Sequence, residues 1–339
     1  MNEVHLTVIV PVYNGENYIV NILHDLHDQT LDSVEFVIVN DGSVDNTANI
    51  INNFITNSAD KRFKYIYQEN RGVSAARNLG IHNSVGNYII FIDGDDSVEK
   101  DLCASYYHKI FKNKTDIEFF PFQTVNRLPS LSEGPDSFVL TNRQLNYGKY
   151  SSSRILNNDD ILKLIFNFRI QGYPFGYVSK RSLWQNVKFD TNVYLAEDLL
   201  ALVQTLVNNK GLKIHINDSG KYKYVVREDS ALQTSVDPFK SRQLTKLFKR
   251  IIKICESNGY SRKHVNNLLY GHYVSLLKQS VINGDVDYYR EIRNHLWSDF
   301  LSTRMPLMSR MKRITILICC LSPNIYFYQF VLGINRKEN

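Results

Sequence analysis

Short apolar runs alternate with helical patterns through the first third of the chain. Apolar runs bounded by polar residues are typical of strands buried in a parallel sheet. They predict strands at Leu6–Val10, Val34–Val39, Phe63–Tyr67, Tyr88–Ile92 and Ile117–Phe120. Helical spacing of apolar residues predicts helices at 19–26, 47–54 and 73–82. Because strands and helices alternate at this interval, we predict an α/β fold, a mostly parallel sheet flanked by helices.

The alternation ends after residue 121. Proline, glycine and serine in 122–158 predict an irregular insertion or a lid. Helical patterns return at 159–166 and 197–207, and 238–297 predicts several helices and no strand. The predicted regions are a domain over 1–235 with halves 1–121 and 122–235, a helical extension over 236–300, and a tail over 301–339.

The tail is basic and amphipathic. It contains six basic residues and one acidic residue, Glu338. Its apolar stretches, 314–321 and 325–334, are separated by a Ser-Pro-Asn break, and neither approaches the roughly 20 residues that cross a bilayer. We predict a segment lying on the membrane surface, with the basic cluster at 310–313 beside anionic headgroups. The alternative is a pair of buried C-terminal helices.

The amino-acid composition indicates the class of protein and the cellular compartment. With 43% hydrophobic and 22% charged residues among 339, the chain has enough apolar surface for a globular core. A net charge of +6 suits an anionic substrate, an anionic membrane or nucleic acid. Since the tail gathers basic residues, we expect a membrane surface and no nucleic acid. The four cysteines lack paired spacing and the N-terminus lacks a signal-peptide pattern, which predicts a cytoplasmic protein.

Polar residues collect where three predicted strands end. Pro11–Glu16 follow the first strand, Asn40–Ser43 the second and Asp93–Asp96 the fourth. In an open parallel sheet, ligands bind beyond the carboxyl ends of the strands. We therefore expect these three segments to face one crevice.

The segment Asp93-Gly94-Asp95-Asp96 has three carboxylates within four residues. These carboxylates repel each other, and a hard cation offsets that repulsion; Mg²⁺ usually takes one or two protein carboxylates together with substrate phosphates. Taken alone, the segment is more simply a solvated turn before the next helix. Its position directly after the apolar run 88–92 favours a metal site.

Three further groups could serve the same crevice. Asp41 could accept a hydrogen bond from a base or a ribose, or it could form a local turn. The segment 71–78 opens a helix with small residues and two arginines, which favours bound phosphate, although Arg77 could instead form a salt bridge to Asp41 or Asp93. Glu197 and Asp198 begin another helix, where acids offset the helix dipole or provide a catalytic base.

Five ordered motifs together resemble glycosyltransferase family 2. They are Val8–Asn14, Gln29-Thr30, Val39–Thr47, Asn70–Ile81 and Gly86–Asp96. They cover about a third of the chain, and Tyr173–Arg181 resembles the acceptor-side segment that precedes the base of the family. The resemblance implies a GT-A fold and an inverting enzyme of the kind that builds capsules, exopolysaccharides and other surface glycans.

The resemblance also implies a role for each matched residue. The nucleoside should be held by Pro11, Val12, Tyr13 and Asp41, with Asp41 on the uracil. The rest of the nucleotide sugar should contact Glu16, Asn70, Arg71, Arg77, Asp93 and Gly94. Asp95 should be the principal ligand of Mn²⁺ or Mg²⁺, with Asp93 beside it. Gly94 stands where serine or alanine is commoner in the family.

The remaining carried-over residues lie in the second half of the chain. Asp198 should be the general base, with Glu197 second. Arg227, near Ser230, resembles a closing segment at the donor phosphates, although Arg227 could equally pair with Glu228 or Asp229.

The expected reaction follows from these roles. A sugar would move from a UDP-sugar to a hydroxyl of a glycan or lipid-linked oligosaccharide at the inner membrane face. A polyprenyl-phosphate glycosyltransferase and a non-catalytic sugar-nucleotide-binding subunit are the alternatives. A nucleotidyltransferase is disfavoured, because it would need a glycine-rich, basic loop where Pro11–Glu16 has one glycine and no basic residue.

Overall fold

The computed structural model describes residues 3–125, 154–226, 238–260 and 285–302, with single positions between 265 and 280. The chain divides into two compact units. The first comprises residues 1–161 and 170–234, and the second comprises residues 162–169 and 235–339. The candidate site residues that the structure describes all belong to the first unit.

The first unit is built on a seven-stranded sheet with the order β3-β2-β1-β4-β8-β6-β9. Its strands are β1 Leu6–Val12, β2 Val34–Asp41, β3 Phe63–Gln68, β4 Tyr88–Phe91, β6 Ile117–Phe119, β8 Tyr177–Lys180 and β9 Ile214–Ile216. Neighbours from β3 to β4 are parallel, and so are β6 and β9, whereas β8 runs antiparallel to both β4 and β6. The predicted mostly parallel sheet is therefore confirmed.

A second sheet of three strands has the order β5-β10-β7. Its strands are β5 Ser97–Val98, β7 Phe122–Val125 and β10 Tyr222–Val225. The irregular segment that the sequence predicts from residue 122 therefore begins with a strand, and the prediction was wrong at 122–125. The apolar pattern of four residues is too short to reveal β7, which forms because β10 supplies its hydrogen-bonding partners.

Among the described residues before residue 238, helices form over amphipathic stretches of sequence, and the fifth of them begins in the first unit and continues into the second. They are α1 Ile19–His27, α2 Thr47–Ser58, α3 Val73–His82, α4 Leu102–Asn113, α5 Asn158–Phe166 and α6 Glu197–Asn208. The apolar face predicted for α1 is buried at Ile19, Ile22, Leu23 and Leu26. On α3, an added Cβ at Gly80 would lie 2.3 Å from Ile9 Cγ2, so only glycine lets this helix approach β1 so closely.

The second unit contains α7 Pro238–Ser257 and α8 Val286–Ser302. Along α7 the buried residues are Leu247, Phe248, Ile251, Ile252 and Cys255, which share one face of the helix. In the described part of the chain, no helix combines the length and the apolar character needed to span a bilayer. The predicted membrane-surface segment lies beyond residue 302, outside the described residues.

Candidate functional site

The loop after β1 and the loop after β2 hold each other by hydrogen bonds. The Asn14 N–H donates to Ser43 Oγ at 2.9 Å, and the Asn14 side-chain oxygen accepts from the Val44 N–H at 2.9 Å. The Gly15 N–H donates to Thr47 Oγ1 at 2.7 Å. The ends of β1 and β2 therefore form one braced edge of the crevice, as the position of both strand ends predicts.

Glu16 contributes to the same brace. Its N–H donates to Asp45 Oδ2 at 3.0 Å, and its own carboxylate accepts from the Asn46 N–H at 3.0 Å. This contact gives Glu16 a loop-fixing role. Its contact with a nucleotide sugar stays a prediction.

The predicted nucleoside residues lie around the strand ends. Pro11 and Val12 belong to β1 rather than to the following loop, and both are buried. Tyr13 is 47% exposed directly after them, so its ring is accessible to a ligand.

Asp41, at the end of β2, is buried and anchors the segment before α3. Its two oxygens accept from the Arg71 N–H at 3.0 Å and the Gly72 N–H at 2.8 Å, and the Gln68 amide donates to one of them. Gly72 has φ +85°, a left-handed conformation that glycine adopts without strain. Asn70 and Arg71 are exposed beside it. A carboxylate has about four lone-pair positions, so Asp41 keeps acceptor capacity for a base N–H.

Arg77, on α3, joins the two acidic motifs. Its Nη1 donates to Glu197 Oε1 at 2.8 Å and its Nη2 donates to Asp93 Oδ1 at 3.2 Å. The Arg77 side chain is only 6% exposed, and its guanidinium lies over the ring of Phe189. Burial disfavours the charged form, but Asp93, Glu197 and Asp198 outweigh burial and raise the pKa of Arg77. Arg77 is therefore an ion-pair residue inside the crevice, and not a surface salt bridge.

The carboxylates of the Asp93–Asp96 turn have different environments. Asp96 is buried, accepts from the Val225 N–H at 2.8 Å and is hydrogen-bonded to the Tyr222 hydroxyl. The same hydroxyl accepts from the Asp93 N–H at 3.2 Å. Burial first, and then the charges of Asp93 and Asp95, raise the pKa of Asp96 well above its ordinary value. The raised pKa favours the neutral form of Asp96, which fixes the turn from inside the protein. Asp93 and Asp95 are the two carboxyl groups of the turn that stay partly exposed.

This pair suits a metal that completes its coordination with substrate. Asp93 and Asp95 are both partly exposed. Within the described ranges, no cluster of three or more His, Cys, Asp or Glu side chains could hold an ion by itself. Two carboxylates match the one or two that Mg²⁺ takes when diphosphate oxygens supply further ligands.

Asp198 is the second residue of α6, which begins at Glu197 directly after Ala196, whose φ is +56°. It is partly buried, and its Oδ1 accepts from the Leu199 N–H at 2.6 Å. Burial first, and then the charge of Glu197, raise the pKa of Asp198 to about 7, although Arg77 acts in the opposite direction. A carboxyl with a pKa near the working pH is suited to general base catalysis.

Comparisons with known proteins identify the family of the chain. Residues 7–168 match the sequence model described as glycosyl transferase family 2. The chain is 31% identical over 279 residues to glycosyltransferase GlyA of Streptococcus pneumoniae, an alignment that covers 82% of this chain and 38% of GlyA. The chain belongs to glycosyltransferase family 2.

Two solved structures of glycosyltransferases share the fold of this family 2 chain. The structure of S. aureus TarS 1–349 in complex with UDP-GlcNAc superposes with a TM-score of 0.65 at 17% identity, covering 97% of this chain and 92% of that fragment. The mannosyltransferase PcManGT of Pyrobaculum calidifontis, in complex with GDP-Man and Mn²⁺, has a TM-score of 0.53 at 14% identity, covering 99% and 89%. The expected GT-A fold is confirmed. The chain spans about two fifths of the length of GlyA.

The family resemblance marks Tyr173–Arg181 as an acceptor-side segment but assigns no role to its aromatic rings or to Tyr222, which pack together beside the site. Phe175 stacks on Tyr222 with ring centroids 4.5 Å apart, and Tyr173 stacks on Phe175 at 5.3 Å. The pKa of Tyr173 is raised to about 12, by burial first and then by the charge of Asp198. A run of aromatic residues in the segment 173–177 is the signal that could have drawn attention to them.

Gly172 explains why the segment that carries these aromatic residues lies close to the turn that contains Asp198. A Cβ added there would lie 2.4 Å from the Cα of Leu199. Glycine therefore allows the segment that carries Tyr173 to touch the first turn of α6. Arg227 and Ser230, which the resemblance places at the donor phosphates, lie outside the described residues.

Proposed function

We propose that this family 2 glycosyltransferase moves a sugar from a UDP-sugar to a hydroxyl of a glycan acceptor, with inversion at the anomeric carbon. Asp198 is the general base, and Asp93 and Asp95 hold a divalent metal. The acceptor is a surface glycan, in growing or lipid-linked form, at the cytoplasmic membrane face. The predicted basic tail supports this location.

The observation that carries the proposal is the double ion pair of Arg77. It brings Asp93 at the end of β4 and Glu197 at the start of α6 to one guanidinium, at 3.2 and 2.8 Å. Asp93 from the predicted metal-binding motif and Glu197 from the predicted catalytic motif thus both pair with the Arg77 guanidinium. A solvated turn and a dipole-offsetting acid would have no reason to share one buried cation.

The chemistry then follows from the side chains. Asp198 takes the proton from the acceptor hydroxyl, and that oxygen forms a bond to the anomeric carbon while the bond from this carbon to the UDP oxygen breaks. Attack from the face opposite UDP inverts the configuration. Arg77, held by two carboxylates, adds fixed positive charge near the departing diphosphate.

A divalent metal fits the partly exposed pair of the turn. Asp96 is withdrawn into the protein, which leaves Asp93 and Asp95 to hold Mn²⁺ or Mg²⁺ with diphosphate oxygens. When bound, the ion would neutralise charge that develops on the leaving diphosphate. The Mn²⁺ in the PcManGT complex supports a metal in this fold.

A UDP-sugar is the donor class that the comparisons favour. TarS, which shares the fold, binds UDP-GlcNAc in its solved complex. In the present chain, the spare acceptor capacity of buried Asp41 suits the N–H of uracil.

The test measures UDP release with a panel of UDP-sugars in Mn²⁺ or Mg²⁺. Asp198→Asn should lower kcat by about 10²–10⁴-fold, because a general base contributes about that factor. Asp95→Ala should also lower UDP release, because it removes a proposed metal ligand. Asp159→Asn is the matched control, because Asp159 also occupies the first turn of a helix but is exposed. Wild-type turnover by Asp198→Asn would refute its role as base, and product with retained anomeric configuration would refute the single displacement.

A further inference from the structure

A cavity of about 510 Å³ lies along α3, on a different face of the helix from Arg77. Its α3 wall is formed by Ala75, Asn78, Leu79, Ile81 and His82. The opposite wall comes from the segment between Arg181 and Thr191. The cavity is thus separate from the Asp93–Asp96 turn and from Asp198.

The charged side chains that the described residues contribute to this cavity are all positive. Arg71, Arg181 and Lys188 line it, and the part of the chain that the structure describes contributes no carboxylate to the lining. All three cations are exposed, and within the described residues none of them forms an ion pair with an acid. Arg181 is held at the wall because its Nε donates to the Gly86 carbonyl at 2.8 Å. A concave surface with one sign of charge concentrates ions of the opposite sign.

The wall of the cavity also supports the catalytic site. The Asn78 side chain donates to the Phe189 carbonyl at 2.8 Å and accepts from the Phe189 N–H at 2.9 Å. The Phe189 ring lies 5.4 Å from the Arg77 guanidinium. A ligand in the cavity would therefore lie one layer of side chains away from the reacting groups.

A second cavity of about 510 Å³ adjoins the first, and the two share Arg181 and Gln185. It is lined by His5 and Tyr107, whose rings stack at 4.9 Å, and by Phe111, which is 63% exposed. Exposed aromatic faces offer apolar contact area to a ligand whose other parts are polar. Two adjoining cavities accommodate an extended ligand better than a free ion.

We propose that the cavity binds a phosphate group of the acceptor at Arg181 and Lys188, whereas Arg71, on the side of the cavity nearest Asp41, keeps its expected contact with the nucleotide. This inference rests on the proposed function, since it names a chemical feature of the glycan that receives the sugar. Arginine and lysine form charge-assisted hydrogen bonds with phosphate oxygens. The phosphate belongs either to a phosphodiester within the glycan or to the diphosphate of a lipid carrier.

The test follows the imidazole of His82, which lines the cavity, by NMR of the full chain with ¹³C-labelled histidine. The nucleotide site is saturated with UDP and Mg²⁺, and the resonance is assigned with His82→Gln. The probes are glycerophosphoglycerol and geranyl diphosphate, and glycerol is the uncharged control. We expect a saturable shift of the His82 resonance with at least one phosphate probe and none with glycerol.

Variants that remove positive charges distinguish binding inside the cavity from nonspecific attraction by the positive charge of the protein. Arg181→Gln/Lys188→Gln should weaken the binding of the effective probe at least tenfold, and Lys188→Gln alone should weaken it measurably. The control Lys61→Gln/Lys112→Gln removes the same number of exposed positive charges away from the cavity and should leave binding unchanged. Thermal unfolding of each variant shows whether it is folded.

The outcomes are distinct. Tighter binding of glycerophosphoglycerol supports a phosphodiester glycan, and tighter binding of geranyl diphosphate supports a lipid carrier. Equal binding by the cavity and control variants, or no His82 shift with either probe, overturns the proposal. UDP release is measured on the same preparation, so a failure of the proposed transfer reaction is seen separately from a failure of the cavity to bind phosphate.

Discussion

Arg77 Nη1 donates a 2.8 Å hydrogen bond to Glu197 Oε1, across 120 residues of sequence. The same guanidinium holds Asp93, so one buried cation neutralises a carboxylate from each half of the site. Its distance from both acids depends on how closely α3 packs on β1, and Gly80 permits that approach.

We expect Arg77→Ala to destabilise the protein and to abolish most UDP release. Removing one partner from a buried ion pair costs about 3–5 kcal/mol, because the other charge stays buried without a partner. Chemical denaturation gives the free energy of unfolding. Arg154→Ala is the control, because Arg154 is 71% exposed in its pair with Asp160 and an exposed pair contributes about 0–1 kcal/mol. Equal losses in the two variants would contradict the buried network.

The pKa of Asp198, raised to about 7, predicts a pH-dependent rate. The base acts in its ionised form, so kcat/KM should fall about tenfold per pH unit below that pKa. Asp198→Asn should lack this limb of the profile. A ratio of wild-type to variant activity that is constant from pH 5 to pH 9 would exclude Asp198 as the titrating group.

The raised pKa of Asp198 should also make the free energy of unfolding depend on pH. A carboxyl whose pKa is higher in the folded than in the unfolded state stabilises the fold at low pH, and this contribution is lost as pH rises through the folded pKa of about 7. We therefore expect Asp198→Asn to gain stability relative to wild type between pH 6 and pH 8. Denaturation midpoints at both pH values measure the difference. A gain that is the same at both pH values would show that Asp198 does not titrate in this range.

Tyr222→Phe should loosen the Asp93–Asp96 turn, because the Asp93 N–H and an Asp96 oxygen both lose their partner. Each buried group left without a hydrogen bond costs about 1–3 kcal/mol. We expect lower stability and a higher metal concentration for half-maximal UDP release. Tyr67→Phe is the control, because Tyr67 is 58% exposed.

Asp96→Asn tests the neutral state of that carboxyl. The amide oxygen can still accept from the Val225 N–H, and the substitution removes no charge if Asp96 is protonated. We expect Asp96→Asn to change the free energy of unfolding at pH 7 by less than about 1 kcal/mol, and Asp96→Ala to cost more. Equal losses in the two variants would indicate an ionised Asp96.

Two glycines near the site should respond in opposite ways to alanine. At Gly94, the nearest atom to an added Cβ is the Pro11 carbonyl oxygen at 3.3 Å, so Gly94→Ala requires only a small shift and should retain activity. At Gly172, the added Cβ would lie 2.4 Å from Leu199 Cα and would push the first turn of α6 away. We expect Gly172→Ala to lose at least tenfold in kcat. A fully active Gly172→Ala would show that this contact does not position Asp198.

The strands β1 to β4 and helices α1 to α3 could be predicted because their patterns are local. A strand buried on both faces is a run of apolar residues, and a helix repeats its apolar face every 3.6 residues. The strands β5 and β7 to β10 contain two to four residues each, which is too few for a period to appear. Tyr222–Val225 becomes a strand only because Ser97-Val98 and Phe122–Val125 lie on either side of it.

The different roles of the aspartates in the acidic turn also could not be predicted from a local sequence pattern. Asp93, Asp95 and Asp96 are chemically identical in the sequence, and the resemblance to the family singled out Asp95. The fold separates them, since Asp96 turns inward to Tyr222 while Asp93 meets Arg77. No local pattern contains this information, because both partners are distant in the chain.

The sequence by itself determined the layered α/β class, the strand ends that bear polar residues, and the family to which the chain belongs. Those features depend on residues within a few positions of each other. Only the tertiary structure decided that Arg77 links Asp93 to Glu197, that Gly172 touches Leu199, and that three cations from distant segments line one cavity. Such contacts arise when the sheet brings distant segments together, so they depend on packing rather than on local periodicity.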